Sequence, residues 1–188
     1  MDSAFYDIVT DCPVIASVKD QAGLAKSLLS ESSIVFILFG DVCSISSIVQ
    51  KVKDAGKTAI VHMDLLTGLS GREIAVDYIK QHTAADGIIT TRLPLIKRAK
   101  ELQLYTILRF FVIDSMAFQN IERQGVTGRP DLIEILPGVM PKIISKVSAI
   151  SKIPIIAGGL IQDKEDIVSA LKAGAVSVST TNQELWFM

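Results

Sequence analysis

Cysteine is scarce. Cys12 and Cys43 are the only two in 188 residues, and no CxxC spacing joins them. That excludes a disulfide framework and a zinc site, and it suits a reducing cytoplasm. Long hydrophobic runs are missing as well. Stretches such as Ile34-Val35-Phe36-Ile37-Leu38-Phe39 are strand length, far short of the ~20 residues that a membrane-spanning helix needs. The opening Met1-Asp2-Ser3-Ala4-Phe5 lacks the positive flank and apolar core of a secretion signal. A cytoplasmic location with no membrane partner is therefore expected. No excess of one charge exists either. The net charge is -1 and the pI about 6.1, which argues against a generally basic nucleic-acid binder. Any RNA contact would need a local basic patch.

Several chemical signatures are also absent. The sequence contains no GxSxG, HExxH, P-loop or GxGxxG pattern. It shows no metal-ligand cluster, RNP1 pattern or zinc-knuckle spacing, so neither a metal nor a cofactor is expected. The one visible basic cluster, Lys97, Arg98 and Lys100, reads as a solvated helix face.

What remains is apolar and periodic. Hydrophobic residues make up 49% and charged ones 21%, and the mean hydropathy of +0.42 is high for a soluble chain. Parallel sheets covered on both faces read this way, because their strands are apolar on both sides. Strands are predicted over residues 14–18, 34–39, 58–63, 87–91, 105–113, 132–136, 154–157 and 176–179. Amphipathic helical segments alternate with them, which is the pattern of βαβ units. Helices over 46–55 and 164–173 run into Gly56 and Gly174, where glycine supplies a left-handed cap. Asp163 is placed as an N-cap, Asp114 as a cap for the helix after strand five, and Pro141 in the first turn after strand six. In that last helix Ile143, Ile144, Val147 and Ile150 form the expected buried stripe, with Lys142 and Lys146 outside. Eight such units close best into one small α/β domain over residues 1–188, a (β/α)8 TIM-type barrel. An open doubly wound sheet is the rival. It would carry a glycine-rich first turn, and Val18-Lys19-Asp20-Gln21 has none. Only residues 181–188 follow strand eight, so the last helix must be short or missing.

In such barrels binding residues sit at the C-terminal strand ends. Strand seven ends in Ala157-Gly158-Gly159, and strand eight in Ser177-Val178-Ser179-Thr180-Thr181-Asn182. Glycines that let amides approach closely, followed by small polar residues, point to a phosphate site at Gly158, Gly159, Ser179, Thr180 and Asn182. A short helix near Asn182 would add its positive end. A plain tight turn is the alternative for the glycines. His62 and Asp64 share a face at the end of strand three. Asp64 can read ligand hydroxyls or act as a base, whereas His62 reads more simply as a core histidine satisfied by backbone. Arg92 can bind phosphate or pair with a carboxylate. Glu134 lies among apolar neighbours and needs a partner, Arg109 or Arg92. Lys19 can add charge to the pocket or stay solvated, and His82 reads as surface.

Several strings together resemble one known family. Val61-His62-Met63-Asp64-Leu65-Leu66-Thr67-Gly68 is similar to the V-H-x-D-L-x-x-G of the glycerol uptake operon antiterminators. Gly87-Ile88-Ile89-Thr90-Thr91-Arg92, Glu134-Ile135-Leu136-Pro137-Gly138, Pro154-Ile155-Ile156-Ala157-Gly158-Gly159 and the tail from Ala173 to Trp186 resemble it too. The resemblance implies a regulator that takes glycerol 3-phosphate as effector and then acts on the leader mRNA of glycerol genes to prevent early termination. It places the phosphate at Gly158, Gly159, Ser179 and Thr180, with Asp64 and either Glu134 or Arg92 on the glycerol hydroxyls. A homo-oligomer is one way for such a chain to present more positive charge to RNA. Two other readings stand beside it. One is a barrel enzyme of isomerase or aldolase type on a small phosphorylated substrate. The other is a ligand-binding module that works through a protein partner.

Overall fold

The computed structural model describes residues 3–188, without the side chains at 3, 4, 122 and 124–126. Eight parallel strands close into a barrel in sequence order: β1 (Val14–Val18), β2 (Ile34–Ile37), β3 (Thr58–His62), β4 (Gly87–Thr90), β5 (Tyr105–Phe111), β6 (Leu132–Leu136), β7 (Ile155–Gly158) and β8 (Ser177–Thr180). Closure comes from β8 on β1, through Val14↔Val178, Ile15↔Ser179 and Ala16↔Thr180. The helices are α1 (Ser3–Thr10), α2 (Gln21–Leu28), α3 (Ile45–Asp54), α4 (Glu73–His82), α5 (Leu93–Glu101), α6 (Ser115–Gly128), α7 (Pro141–Ile150) and α8 (Lys164–Lys172). The open doubly wound alternative is thereby excluded.

Strands alternate their side chains between two faces, and both faces are buried here. Outward residues such as Ala16, Val35, Val61, Ile88 and Val178 pack beneath the helices. Inward residues divide into two tiers. The lower tier is apolar: Ile15, Ile34, Phe36, Ile60, Ile89, Ile107, Leu132 and Ile156 form one cluster. One pleat further up, the same strands turn polar: Ser17, His62, Arg109, Glu134 and Ser179 are all buried. The change from Ile60 to His62, Ile107 to Arg109 and Leu132 to Glu134 puts the chemistry at the C-terminal end of the barrel.

The sequence pattern gives no expectation for α1, which closes the opposite end. Its Phe5 and Val9 join the lower tier, and Phe5 stacks on Tyr105 at 4.0 Å between ring centroids. The last unit is as short as expected. After β8 only a 3-10 helix, Gln183–Phe187, remains, anchored by buried Trp186, whose indole N–H donates to Thr180 O at 2.9 Å. Asp163 and Asp114 cap their helices, accepting from the Asp166 and Ala117 amides at 2.9 and 2.7 Å.

Three expectations need correction. Strands two and five end at Ile37 and Phe111, earlier than expected, because their apolar runs continue past the ladder into loops. Strand seven starts at Ile155, since Pro154 has no N–H to contribute. Ile150 is 42% exposed. It is the final residue of α7, and Val147, a turn earlier, is the last of the stripe to be buried in the core.

Replacing Phe5 with Ala removes the stacked floor of the barrel and is expected to cost about 3–5 kcal/mol. Replacing Leu29, which is 80% exposed, should stay within about 0.5 kcal/mol. Urea unfolding of the two variants checks the contrast.

Candidate functional site

A hollow of about 540 Å³ opens at the C-terminal end of the barrel, between β1, β8 and the loops after β6 and β7. Gly159, Ser179, Thr180 and Asn182 all line it, so four of the five residues expected at an anion site come together. Ser17, Leu38, Arg109, Leu136 and Thr181 line it too.

Arg109 is the cation of the hollow. It stands opposite Glu134 in the β5–β6 register, and its Nε donates to Glu134 Oε2 at 2.5 Å. The other carboxylate oxygen accepts from Ser179 Oγ at 2.5 Å. Glu134 is fully buried and Arg109 is 9% exposed. A buried carboxylate needs such pairing, since desolvation otherwise exceeds what it gains. Among the described residues nothing engages the two terminal nitrogens of Arg109, and neither is sealed from solvent. The outer edge of the guanidinium is therefore open to the hollow.

The loop after β7 supplies neutral donors. Gly159 and Leu160 both lie in the left-handed region, at φ +77° and +63°. Such strain at a non-glycine residue persists only where the surroundings hold it. Among the described residues the amides of Gly159, Leu160 and Thr181 have no hydrogen-bond acceptor. Thr180 Oγ1 is already committed, donating to Ile161 O at 2.8 Å and accepting from the Asn182 amide at 3.0 Å. Asn182 ties the same loop through its amide group to Gln162 O at 2.8 Å, and its side-chain oxygen accepts from Glu184 N. The Glu184 amide of the short helix that follows is thus capped, whereas the amide of its first residue, Gln183, has no hydrogen-bond acceptor among the described residues.

The remaining expected residues sit elsewhere. Gly158 lies behind the hollow. A Cβ there would come within 2.5 Å of Glu134 Oε1 and 2.6 Å of Ser179 Oγ. Its missing side chain makes room for the Arg109–Glu134–Ser179 chain, which is a different reason from the one expected. Asp64 and Arg92 pair with each other on the β3–β4 side, Nε to Oδ1 at 3.1 Å. Asp64 also accepts from the Thr91 amide at 2.7 Å and from the Thr90 and Thr91 hydroxyls. Arg92 reaches over Gly71, where any Cβ would collide with it. The two do not line the hollow. Lys19 follows β1, is exposed and does not line it either. His82 is exposed, against Tyr78.

His62 differs from its expectation. It is buried in the polar tier, but neither ring nitrogen has a hydrogen-bond partner among the described residues. Burial, reinforced by the Arg109 charge, pulls its pKa down to about 4. The ring is neutral at pH 7 and adds no charge to the site. Arg109 is the residue that motif reading leaves out of the binding set, treating it only as a partner for Glu134. The available signal is an arginine inside the apolar run Tyr105-Thr106-Ile107-Leu108-Arg109-Phe110-Phe111, at the inward phase set by Ile107.

A pH dependence follows from His62. Its folded pKa lies below the usual ~6.5, so the unfolded chain takes up the proton first as pH falls. The stabilisation is fully present above about pH 6.5 and lost toward pH 4. Between pH 7 and 5 the loss should be about 2 kcal/mol. Unfolding midpoints for the wild type and His62→Leu check this, and parallel pH profiles would contradict it.

Comparisons place the chain. The model of the glycerol-3-phosphate responsive antiterminator family matches residues 14–186. YgcP of Escherichia coli strain K12, described as uncharacterized, is 46% identical over 93% of this chain and 91% of its own length. The glycerol uptake operon antiterminator regulatory protein of Listeria monocytogenes is 33% identical, with a TM-score of 0.89 over 92% of this chain and 94% of that one. A related protein of Thermotoga maritima is 32% identical, with a TM-score of 0.83 over 94% and 99%. The deoxyribose phosphate aldolase of Aeropyrum pernix, at 11% identity and a TM-score of 0.71 over 96% and 89%, shares the fold alone. On the span of the first match and the identity of these relatives, the chain belongs to the glycerol-3-phosphate responsive antiterminator family.

Proposed function

We propose that this chain is one phosphate-binding barrel that senses glycerol 3-phosphate, needs no cofactor, and binds the leader mRNA of glycerol genes to prevent early termination in the cytoplasm. The observation that carries the ligand half is the open edge of Arg109, held by Glu134 at the floor of a hollow rimmed by unengaged amides. A guanidinium and oriented amides are what a phosphate dianion requires. Ser17 lines the same hollow and can serve the glycerol hydroxyls. The family match supports the RNA half.

The hollow is built to bind and not to turn over. No lysine lines it. Its carboxylate, Glu134, is committed to Arg109 and Ser179, and His62 is too weak a base to carry a proton at neutral pH. To act as a switch the ligand must favour the RNA-binding state. Moving a 1:99 population to 99:1 takes about 5.5 kcal/mol of differential affinity, and less tunes it.

Glycerol 3-phosphate has about ten heavy atoms. At about −0.7 kcal/mol per atom its Kd should be micromolar. Calorimetry should show this, with the ligand recovered chemically unchanged, and conversion to product would favour the enzyme reading. Thr181 is exposed at the rim. Thr181→Asp puts a carboxylate beside the anion without disturbing the core and should weaken binding more than about tenfold. Unimpaired binding would move the ligand out of this hollow.

Titration with leader RNA tests the second half. Affinity should rise when glycerol 3-phosphate is present and fall as salt increases, because phosphate contacts release counterions. Identical RNA affinity with and without the ligand would overturn ligand gating.

A further inference from the structure

Basic residues are not evenly distributed over the barrel's outer wall. Two cations of the Lys97–Arg98–Lys100 cluster on α5, Arg98 and Lys100, are paired with carboxylates. Arg98 pairs with Asp77 and Glu101, and Lys100 with Asp131 and the Arg129 carbonyl. On the β6–β7 side the opposite holds. From Ile135 to Gln162 the sequence has no Asp or Glu, yet it carries Lys142, Lys146 and Lys152. Lys142 and Lys146 stand one turn apart on α7 and face α8 across a groove of about 560 Å³. Lys172 lines its other wall, with Ser145 and Ser169 between, and among the described residues no carboxylate borders it. Among the described residues none of the three lysines has an ion-pair partner. Asp166, nearer the start of α8, is engaged by the Gln162 amide.

We infer that the groove between α7 and α8 is the surface that grips the RNA backbone, with Lys142, Lys146 and Lys172 on successive phosphates. This rests on the RNA half of the proposed function and names its contact surface. Side chains one turn apart on a helix stand about 5–6 Å apart at Cβ, comparable to consecutive phosphates along a strand. The flanking seryl hydroxyls add neutral donors for the same oxygens. The chain's net charge of -1 then presents no obstacle, because the contact needs only a local field. The neighbouring groove on the far side of α7 is mixed, lined by Val112, Phe118, Met140 and Ile143 but also by Asp114, Ser115 and Gln119, with Lys146 at its edge.

The groove is also tied to the ligand hollow. Leu136 lines the hollow and packs against Gly159, where a Cβ would come within 3.2 Å of it. Two residues on, the Gly138 amide donates to Gly159 O at 3.0 Å. Gly138 sits so close to β7 that a Cβ would lie 2.9 Å from Ala157 C and Gly158 N. Residues 137–140 then lead straight into Pro141, the first residue of α7. A ligand that orders Gly159 and Leu160 therefore sets the position of α7.

The test is salt-dependent RNA titration of the full chain with glycerol 3-phosphate present. Lys142→Ala, Lys146→Ala and Lys172→Ala are combined in one variant. A second variant changes Lys26, Lys51 and Lys80, exposed lysines on other helices, to Ala. The first should lose RNA affinity by about tenfold or more, with a log–log salt slope shallower by about 2, and keep its glycerol 3-phosphate affinity. The second should match the wild type. Wild-type RNA affinity in the first variant would overturn the surface and leave the RNA reading standing. Absence of salt-dependent RNA binding by the wild-type chain would overturn both.

Discussion

One buried ion pair organises the functional end of this barrel. Arg109 and Glu134 face inward from adjacent strands, in a tier where most barrels of this size would place aliphatic side chains. A lone charge there would cost several kcal/mol. Together, with Ser179 on the second carboxylate oxygen, the two are satisfied. The geometry leaves the outer edge of the guanidinium free, so the same bond that makes the charge tolerable also orients it toward the hollow.

Neighbouring residues follow from that pair. Gly158 has no side chain because the Glu134 carboxylate and the Ser179 hydroxyl occupy the space. His62 stays neutral because it is buried next to Arg109. Asp64, which stands at the same end of the barrel, does not compete for Arg109, because Arg92 and the β4 hydroxyls saturate it. Two carboxylates in one mouth are thus kept apart, each with its own arginine.

The outer wall carries the complementary asymmetry. On the β4–β5 side Arg98 and Lys100 are paired with carboxylates, whereas Lys142, Lys146 and Lys172 of α7 and α8 have no ion-pair partner among the described residues. Strand β6 lines the hollow at its last residue, Leu136, and α7 starts five residues later at Pro141. The hollow inside the barrel and the lysine-bearing groove outside it therefore meet on one segment.

Much of the fold was legible in the sequence, because eight apolar runs separated by amphipathic segments have few ways to bury both sheet faces. The lining of the hollow was legible in part. Gly159, Ser179, Thr180 and Asn182 are local in sequence, and their positions at strand ends follow from barrel topology alone. What only the tertiary structure decided is which groups across the barrel meet. Arg109 with Glu134, Arg92 with Asp64, and the true reason for Gly158 depend on strand register and side-chain reach, which no single strand contains. Helix α1 was invisible for the same cause: eight residues with one short buried face, Phe5 and Val9, become a floor only when a closed barrel exists for them to seal. Periodicity encodes which residues turn inward, but the partner each one finds there is set by the closure of the sheet.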